Sequence, residues 1–145
     1  MRIVAASDHA GLELRSTLVA HLREQGHEVD DLGTHDRAST DYPDWGEEAA
    51  RRVAAGDASF GLLVCGTGQG MAMTANRVPG VRAAVVADTF SARATRAHND
   101  ANVLCMGQRV VGAGLALDIL DAFLATPFEG GRHAGRIAKM RALET

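Results

Sequence analysis

The chain has 145 residues, enough for one domain with a single buried core. Hydrophobic residues at 46% and charged residues at 23% exclude a disordered chain, and a formal net charge of −3 gives no reason to expect nucleic acid or a membrane surface as partner. No run approaches the roughly 18 apolar residues of a membrane helix, and Cys65 and Cys105, too far apart for a CxxC or metal-ligand spacing, read as reduced thiols of a cytoplasmic protein.

Taken in order, the apolar period switches between strand-like runs and helix-like spacing. Arg2–Ala6 is a short strand ending at Ser7-Asp8-His9, too short for a signal-peptide core. Leu14, Leu18 and Leu22 share one face of a helix over Gly11–Gln25, which Gly26 stops. His27–Leu32 reads as a second strand, followed by a polar loop from Thr34 through Asp44 that contains Tyr42-Pro43. Trp45, Ala49 and Val53 mark a second helix. Phe60–Val64 is a continuous apolar run, as in a strand covered on both faces, and leads into Cys65-Gly66-Thr67-Gly68-Gln69-Gly70.

A helix over Met71–Arg77 ends before Pro79, and Val81–Ala87 reads as another buried strand. Ser91–Ala97 is a helix, Val103–Met106 a strand, and Leu115, Ile119, Leu120, Phe123 and Leu124 line a long helix. After Glu129-Gly130-Gly131 comes a final basic helix, where Arg132, Arg136, Lys139 and Arg141 face Glu144 alone. The alternation predicts one α/β domain spanning 1–145, a three-layer, doubly wound, Rossmann-like parallel sheet. In such sheets ligands bind beyond the carboxyl ends of the strands. Asp8-His9, Cys65-Gly66-Thr67 and Asp88 directly follow strands; His98-Asn99 precedes one, so this rule does not place it in a pocket.

The glycine loop admits several readings. As a dinucleotide-binding turn it fits poorly, because Met71 stands where the third glycine belongs and the loop follows a mid-chain strand. As an anion hole it fits better: glycines let backbone N–H groups converge on negative charge, and Cys65 sits immediately before them as a potential base. A thiol at a helix N-terminus has its pKa lowered, which suits general-base work. Against this stand a buried, inert cysteine, and a Cys65 nucleophile served by His98. Cys105, in a plain strand, is assigned to the inert class.

Six motifs in register, Ser7-Asp8-His9-Ala10-Gly11, Asp41-Tyr42-Pro43-Asp44, Cys65–Met71, Ala75–Ala83, His98–Leu104 and Phe128–His133, resemble the ribose-5-phosphate isomerase B family over Ile3 to about Met140. That family includes galactose-6-phosphate isomerase subunits. The resemblance implies an aldose–ketose isomerase of ribose 5-phosphate and ribulose 5-phosphate in pentose phosphate metabolism. It implies that Cys65 takes the carbon proton, that Thr67 stabilises the enediolate, that Asp8 moves protons between sugar oxygens and that His98 opens the furanose ring. It places phosphate on His9, Arg109, Arg132 and Arg136, and the sugar on Asn99 and the backbone of Gly66, Thr67, Gly68, Gln69 and Gly70, with Tyr42 lining the pocket.

The resemblance further implies no metal and no cofactor, and a homodimer or homotetramer whose sites are shared between subunits. Members lacking the cysteine place a glutamate at the position of Met71, so this chain resembles the cysteine-base branch. Arg132 and Arg136, four apart, share a helix face. The rivals are an isomerase of a tetrose, hexose or deoxy-sugar phosphate, and a non-catalytic nucleotide- or sugar-phosphate-binding module. His21, His27, His35 and His133 read as surface histidines, and His35, Asp36 and Arg37 have no assigned role.

Overall fold

The computed structural model describes Met1–Thr145. The strands are β1 (Arg2–Ser7), β2 (Glu28–Gly33), β3 (Phe60–Cys65), β4 (Ala83–Val85) and β5 (Val103–Gly107). Between and after them run α1 (Leu12–Glu24), α2 (Tyr42–Ala54), α3 (Gln69–Ala75), α4 (Thr89–Asn99), α5 (Ala113–Ala125) and α6 (Arg132–Arg141). All strand pairs are parallel, in the order β2-β1-β3-β5-β4. The doubly wound α/β fold expected from the alternation is the fold observed.

Side chains of β3 alternate across the sheet and divide the core. Leu62 and Val64 join Leu14, Leu18, Ala92, Ile119 and Phe123 on the face covered by α1, α4 and α5. Leu63 and Cys65 join Ala49, Val53, Met71 and Ala75 on the face covered by α2 and α3. Burying β3 on both faces explains its unbroken apolar run. The chain leaves β1 toward β2 on one side and toward β3 on the other, so the crevice where strand order reverses lies at the carboxyl ends of β1 and β3. No helix is long and apolar enough to cross a membrane.

Four expectations are corrected. α2 begins at Tyr42 rather than after Asp44, because Pro43 falls in the first turn, where its missing N–H leaves no bond unmade. The strand expected over Val81–Ala87 shrinks to Ala83–Val85, half-buried at the sheet edge with β5 as its one partner. α3 starts at Gln69, two residues earlier than Met71. α4 runs through His98 and Asn99 and stops where Asp100 turns left-handed at φ 47°.

That last correction fixes where His98 lies. α4 runs back against the strand direction, and near its end the Arg96 guanidinium sits 4.9 Å from the ring centre of Phe60, the first residue of β3. The Gly61 N–H also donates to the Asn102 carbonyl at 2.9 Å, just past the helix. His98 and Asn99 therefore belong to the amino end of the sheet, while Cys65 closes β3 at the other end, about 16 Å away along the strand.

Candidate active site

Close backbone approaches build the carboxyl end. Gly11 begins α1 so near β3 that a Cβ there would stand 2.6 Å from the Val64 carbonyl oxygen. This contact brings the Asp8–Gly11 turn beside Cys65. A Cβ on Gly107 would stand 2.7 Å from Thr67 Cα, which holds the end of β5 against the glycine loop. Gly68 takes φ +83°, a left-handed conformation glycine adopts freely, and presses on the Met106 backbone. Gly70 leaves room for the Tyr42 ring, whose nearest atom would lie 2.1 Å from a Cβ.

Within this frame Cys65 Sγ accepts a hydrogen bond from the Gly68 N–H at 3.1 Å. Cys65 is the last residue of β3, and α3 has only seven residues and starts at Gln69. The loop amide, rather than a helix dipole, is thus the group that meets the sulfur. Thr67 Oγ1 accepts from the Gln69 N–H at 3.3 Å, and Thr67 is exposed. Cys105, fully buried two residues before Gly107, has its thiol pushed far above the ordinary cysteine range by burial, with Cys65 adding to the rise. Its full burial in β5 fits the inert class expected of it.

Asp8 both caps and lines. Its Oδ1 accepts from the Ala10 and Gly11 N–H groups at 3.0 and 3.2 Å, capping the first turn, and Oδ2 takes neither bond. With Thr40, Tyr42 and Asp44 it lines a cleft of about 460 Å³. His9 Nδ1 accepts from the Thr40 N–H at 3.2 Å, so the neutral ring carries its proton on Nε2, a donor suited to an anion. Trp45 holds Thr40 in turn through Nε1–H to Oγ1 at 3.0 Å. Arg109 is anchored by its N–H to the Gly66 carbonyl at 3.0 Å, and its side chain lies along Gly66.

Buried Arg15, unremarked in the sequence, ties these turns together. It donates to Ser7 Oγ at 2.7 Å and to the Thr34 carbonyl, and pairs with Asp31 at 3.0 Å. Its signal was an arginine beside Leu14 on an apolar helix face, with Asp30-Asp31 inside a strand.

At the amino end of the sheet, His98 stacks on His133, ring centres 4.5 Å apart and planes 15° from parallel. His133 is buried, correcting its reading as a surface residue: it faces α4 from the first turn of α6. Burial first, then the charges of His98 and Arg132, pull its pKa below the usual imidazole range, while Glu129 opposes them. Glu129 is held there by its N–H to the Ala97 carbonyl at 3.1 Å. Arg132 and Arg136 are exposed on α6, and Asn99 faces a separate cavity with Arg82, Thr95 and Arg141. The i, i+4 spacing of Glu129 and His133 was the legible clue to this cluster.

The anticipated residues thus fall into two groups. Asp8, His9, Tyr42, Cys65 to Gly70 and Arg109 meet at one end of the sheet; His98, Asn99, Arg132 and Arg136 lie at the other. Within one chain the distance keeps His98 from serving as base to a Cys65 nucleophile. The dinucleotide reading fails too, because the glycine loop follows β3 and not β1.

Residues 3–140 match the profile of the Ribose/Galactose Isomerase family. The chain is 46% identical over 143 residues to ribose-5-phosphate isomerase B of Escherichia coli, covering 99% of this chain and 96% of that one. The solved structure of ribose-5-phosphate isomerase B from Clostridium thermocellum superposes with TM-score 0.98 at 48% identity, covering 99% and 97% of the two chains. That of the Mycoplasma genitalium enzyme with bound ribulose-5-phosphate gives 0.94 at 43%, covering 97% and 94%. The fold, the ordered motifs and these likenesses agree: the chain belongs to the ribose/galactose isomerase family and is an isomerase.

Proposed function

We propose that this protein interconverts ribose 5-phosphate and ribulose 5-phosphate through an enediolate, with Cys65 as the base, at a site completed by a second copy of the chain. The observation that carries the reading is Cys65 Sγ at the end of β3, 3.1 Å from the Gly68 N–H and enclosed by Gly66–Gly70. The bound ribulose 5-phosphate of the Mycoplasma relative supports the substrate class.

In the aldose-to-ketose direction, the Cys65 thiolate takes the proton from C2 and the electron pair forms the C1–C2 double bond. The aldehyde oxygen becomes anionic, and the loop amides with the Thr67 hydroxyl stabilise that charge, each well-aimed donor contributing about 3–4 kcal/mol. Asp8 carries a proton between O1 and O2, and the thiol returns its proton to C1. Ring opening is assigned to His98 and sugar contact to Asn99. His9, Arg109, Arg132 and Arg136 hold the phosphate, whose binding energy keeps C2 at Cys65.

These roles need both groups of residues in one place, which a single chain does not provide. A symmetric pair can, by setting the His98 end of one copy against the Cys65 end of the other.

Two measurements test this. Cys65→Ala is expected to lower kcat/KM for ribose 5-phosphate by about 10²–10⁴-fold, the usual contribution of a general base, with turnover of the wild type unaffected by EDTA. Faster turnover of a four- or six-carbon sugar phosphate would keep the base and replace the substrate. In the second, Cys65→Ala and His98→Asn are each expressed alone and then co-refolded in equal amounts. Shared sites predict recovery of about one quarter of wild-type activity, from the one intact site in each mixed dimer. Sites confined to one chain predict none.

A further inference from the structure

The reading above gives His9 to the phosphate but leaves unused the residues that hold its ring. Nδ1 of His9 meets the Thr40 N–H at 3.2 Å. A backbone amide only donates, so Nδ1 is the acceptor and the neutral ring keeps its proton on Nε2. Thr40 belongs to residues 34–41, which form neither helix nor strand, so no ladder of backbone bonds sets its place.

Its place comes from α2 instead. Trp45, early in that helix, donates its Nε1–H to Thr40 Oγ1 at 3.0 Å, and the indole packs against the core beneath α2 and α3. An indole N–H is a donor alone, so this bond runs in one sense, from the helix into the loop. Midway along the segment, Arg37 pairs with Glu13 at 3.1 Å, but the arginine is 83% accessible and such a surface pair adds little. The indole is the firmer hold on the loop beside His9.

We propose that Trp45 and Thr40 are positioning residues for His9. The indole sets Thr40, Thr40 fixes the tautomer and orientation of the imidazole, and the ring meets the phosphate with its Nε2–H already in place. Without the amide the neutral ring divides between two tautomers, and the one with a bare Nε2 offers an anion a lone pair instead of a donor. The proposal rests on the phosphate role given to His9.

The test uses full-length protein carrying Trp45→Phe, which keeps an aromatic ring in the core and removes the N–H, or Thr40→Val, which removes Oγ1 and keeps the backbone amide. Each is expected to raise KM for ribose 5-phosphate and the inhibition constant of inorganic phosphate together, by about three- to tenfold, the usual worth of one hydrogen bond, with kcat changed far less. In a His9→Ala background the same substitutions should move neither constant, because the group they act through is gone. Nitrogen NMR of the His9 imidazole should show Nδ1 unprotonated in the wild type and mixed tautomers in both variants. Unchanged KM in both variants, an increase of equal size with and without His9, or a single Nε2–H tautomer in both variants overturns the positioning role. Should His9→Ala itself leave phosphate inhibition unchanged, the phosphate role of His9 falls, and the spectra alone decide whether Trp45 and Thr40 hold its tautomer.

Discussion

Around Cys65 the chain meets itself backbone to backbone, whereas around His98 it meets itself through side chains. At the first end Gly11 touches the Val64 carbonyl and Gly107 touches Thr67, and the turns are fastened further by buried Arg15. At the second end α6 packs chiefly on α4, and only His133 and Ile137 of its residues are buried. A cradle made of backbone contacts tolerates no extra atom. A cluster made of side chains on a lightly held helix can shift, and it is the half that the proposed function asks to act across an interface.

The largest effect expected within the chain comes from breaking the first kind of contact. Gly11→Ala places a methyl group 2.6 Å from a backbone oxygen that cannot swing away, and overpacking of this kind costs about 1–3 kcal/mol. Urea unfolding should show that loss, with activity falling as the Asp8 turn is pushed off Cys65. Gly70→Ala is the contrast, because its Cβ meets the ring of Tyr42, a half-exposed side chain free to rotate outward. Its stability should change little while KM rises. Equal destabilisation by the two substitutions would contradict the distinction between rigid and movable neighbours.

The next effect is smaller and belongs to the other end. Ile137→Ala removes one of two buried side chains of α6. A helix so lightly anchored opens without the rest of the protein, so global stability should fall by only about 0.5–1 kcal/mol. Amide exchange in α6 should quicken selectively, and KM should rise as Arg132 and Arg136 lose their fixed positions. Exchange in α6 as slow as that in β3 would show that the helix is held far more firmly than its contacts within the chain allow.

The same contrast explains what the sequence disclosed. The carboxyl-end cradle lies in short, contiguous motifs directly after strands, where polar and glycine residues interrupt apolar runs; Asp8, Cys65 and the glycine loop could be placed before any coordinates. Arg15 escaped because its partners, Ser7 at the end of β1 and Asp31 and Thr34 around the end of β2, lie on two other segments that only the fold brings to α1. His133 escaped because an isolated histidine in a basic helix looks solvated, and only tertiary packing on His98 buries it. The length of α4 was underestimated because His98 and Asn99 are weak helix formers, and the left-handed stop comes from Asp100 rather than glycine. That two-residue difference moved His98 from a loop of unknown place onto a helix end far from Cys65.

The smallest expected effect concerns the opposite end of that helix. Asp88 caps α4: its Oδ1 accepts from the Ser91 N–H at 2.6 Å and its Oδ2 from the Ser91 hydroxyl at 2.8 Å. The Ser91 amide first, then the hydroxyl, hold the carboxyl below its ordinary value. A depressed folded pKa means the unfolded chain takes up the proton more readily. The stabilisation is therefore complete above the ordinary aspartate value, about 3.9, and disappears as pH falls through the lower folded value. Thermal unfolding of wild type and Asp88→Asn from pH 6 downward measures this: wild type should melt higher at pH 6, and the gap should narrow on acidification. A gap that stays constant would assign the difference to side-chain shape rather than charge. A gap accompanied by faster exchange at His98 would mean that the cap holds α4 along its full length, joining the two ends that the rest of the fold keeps apart.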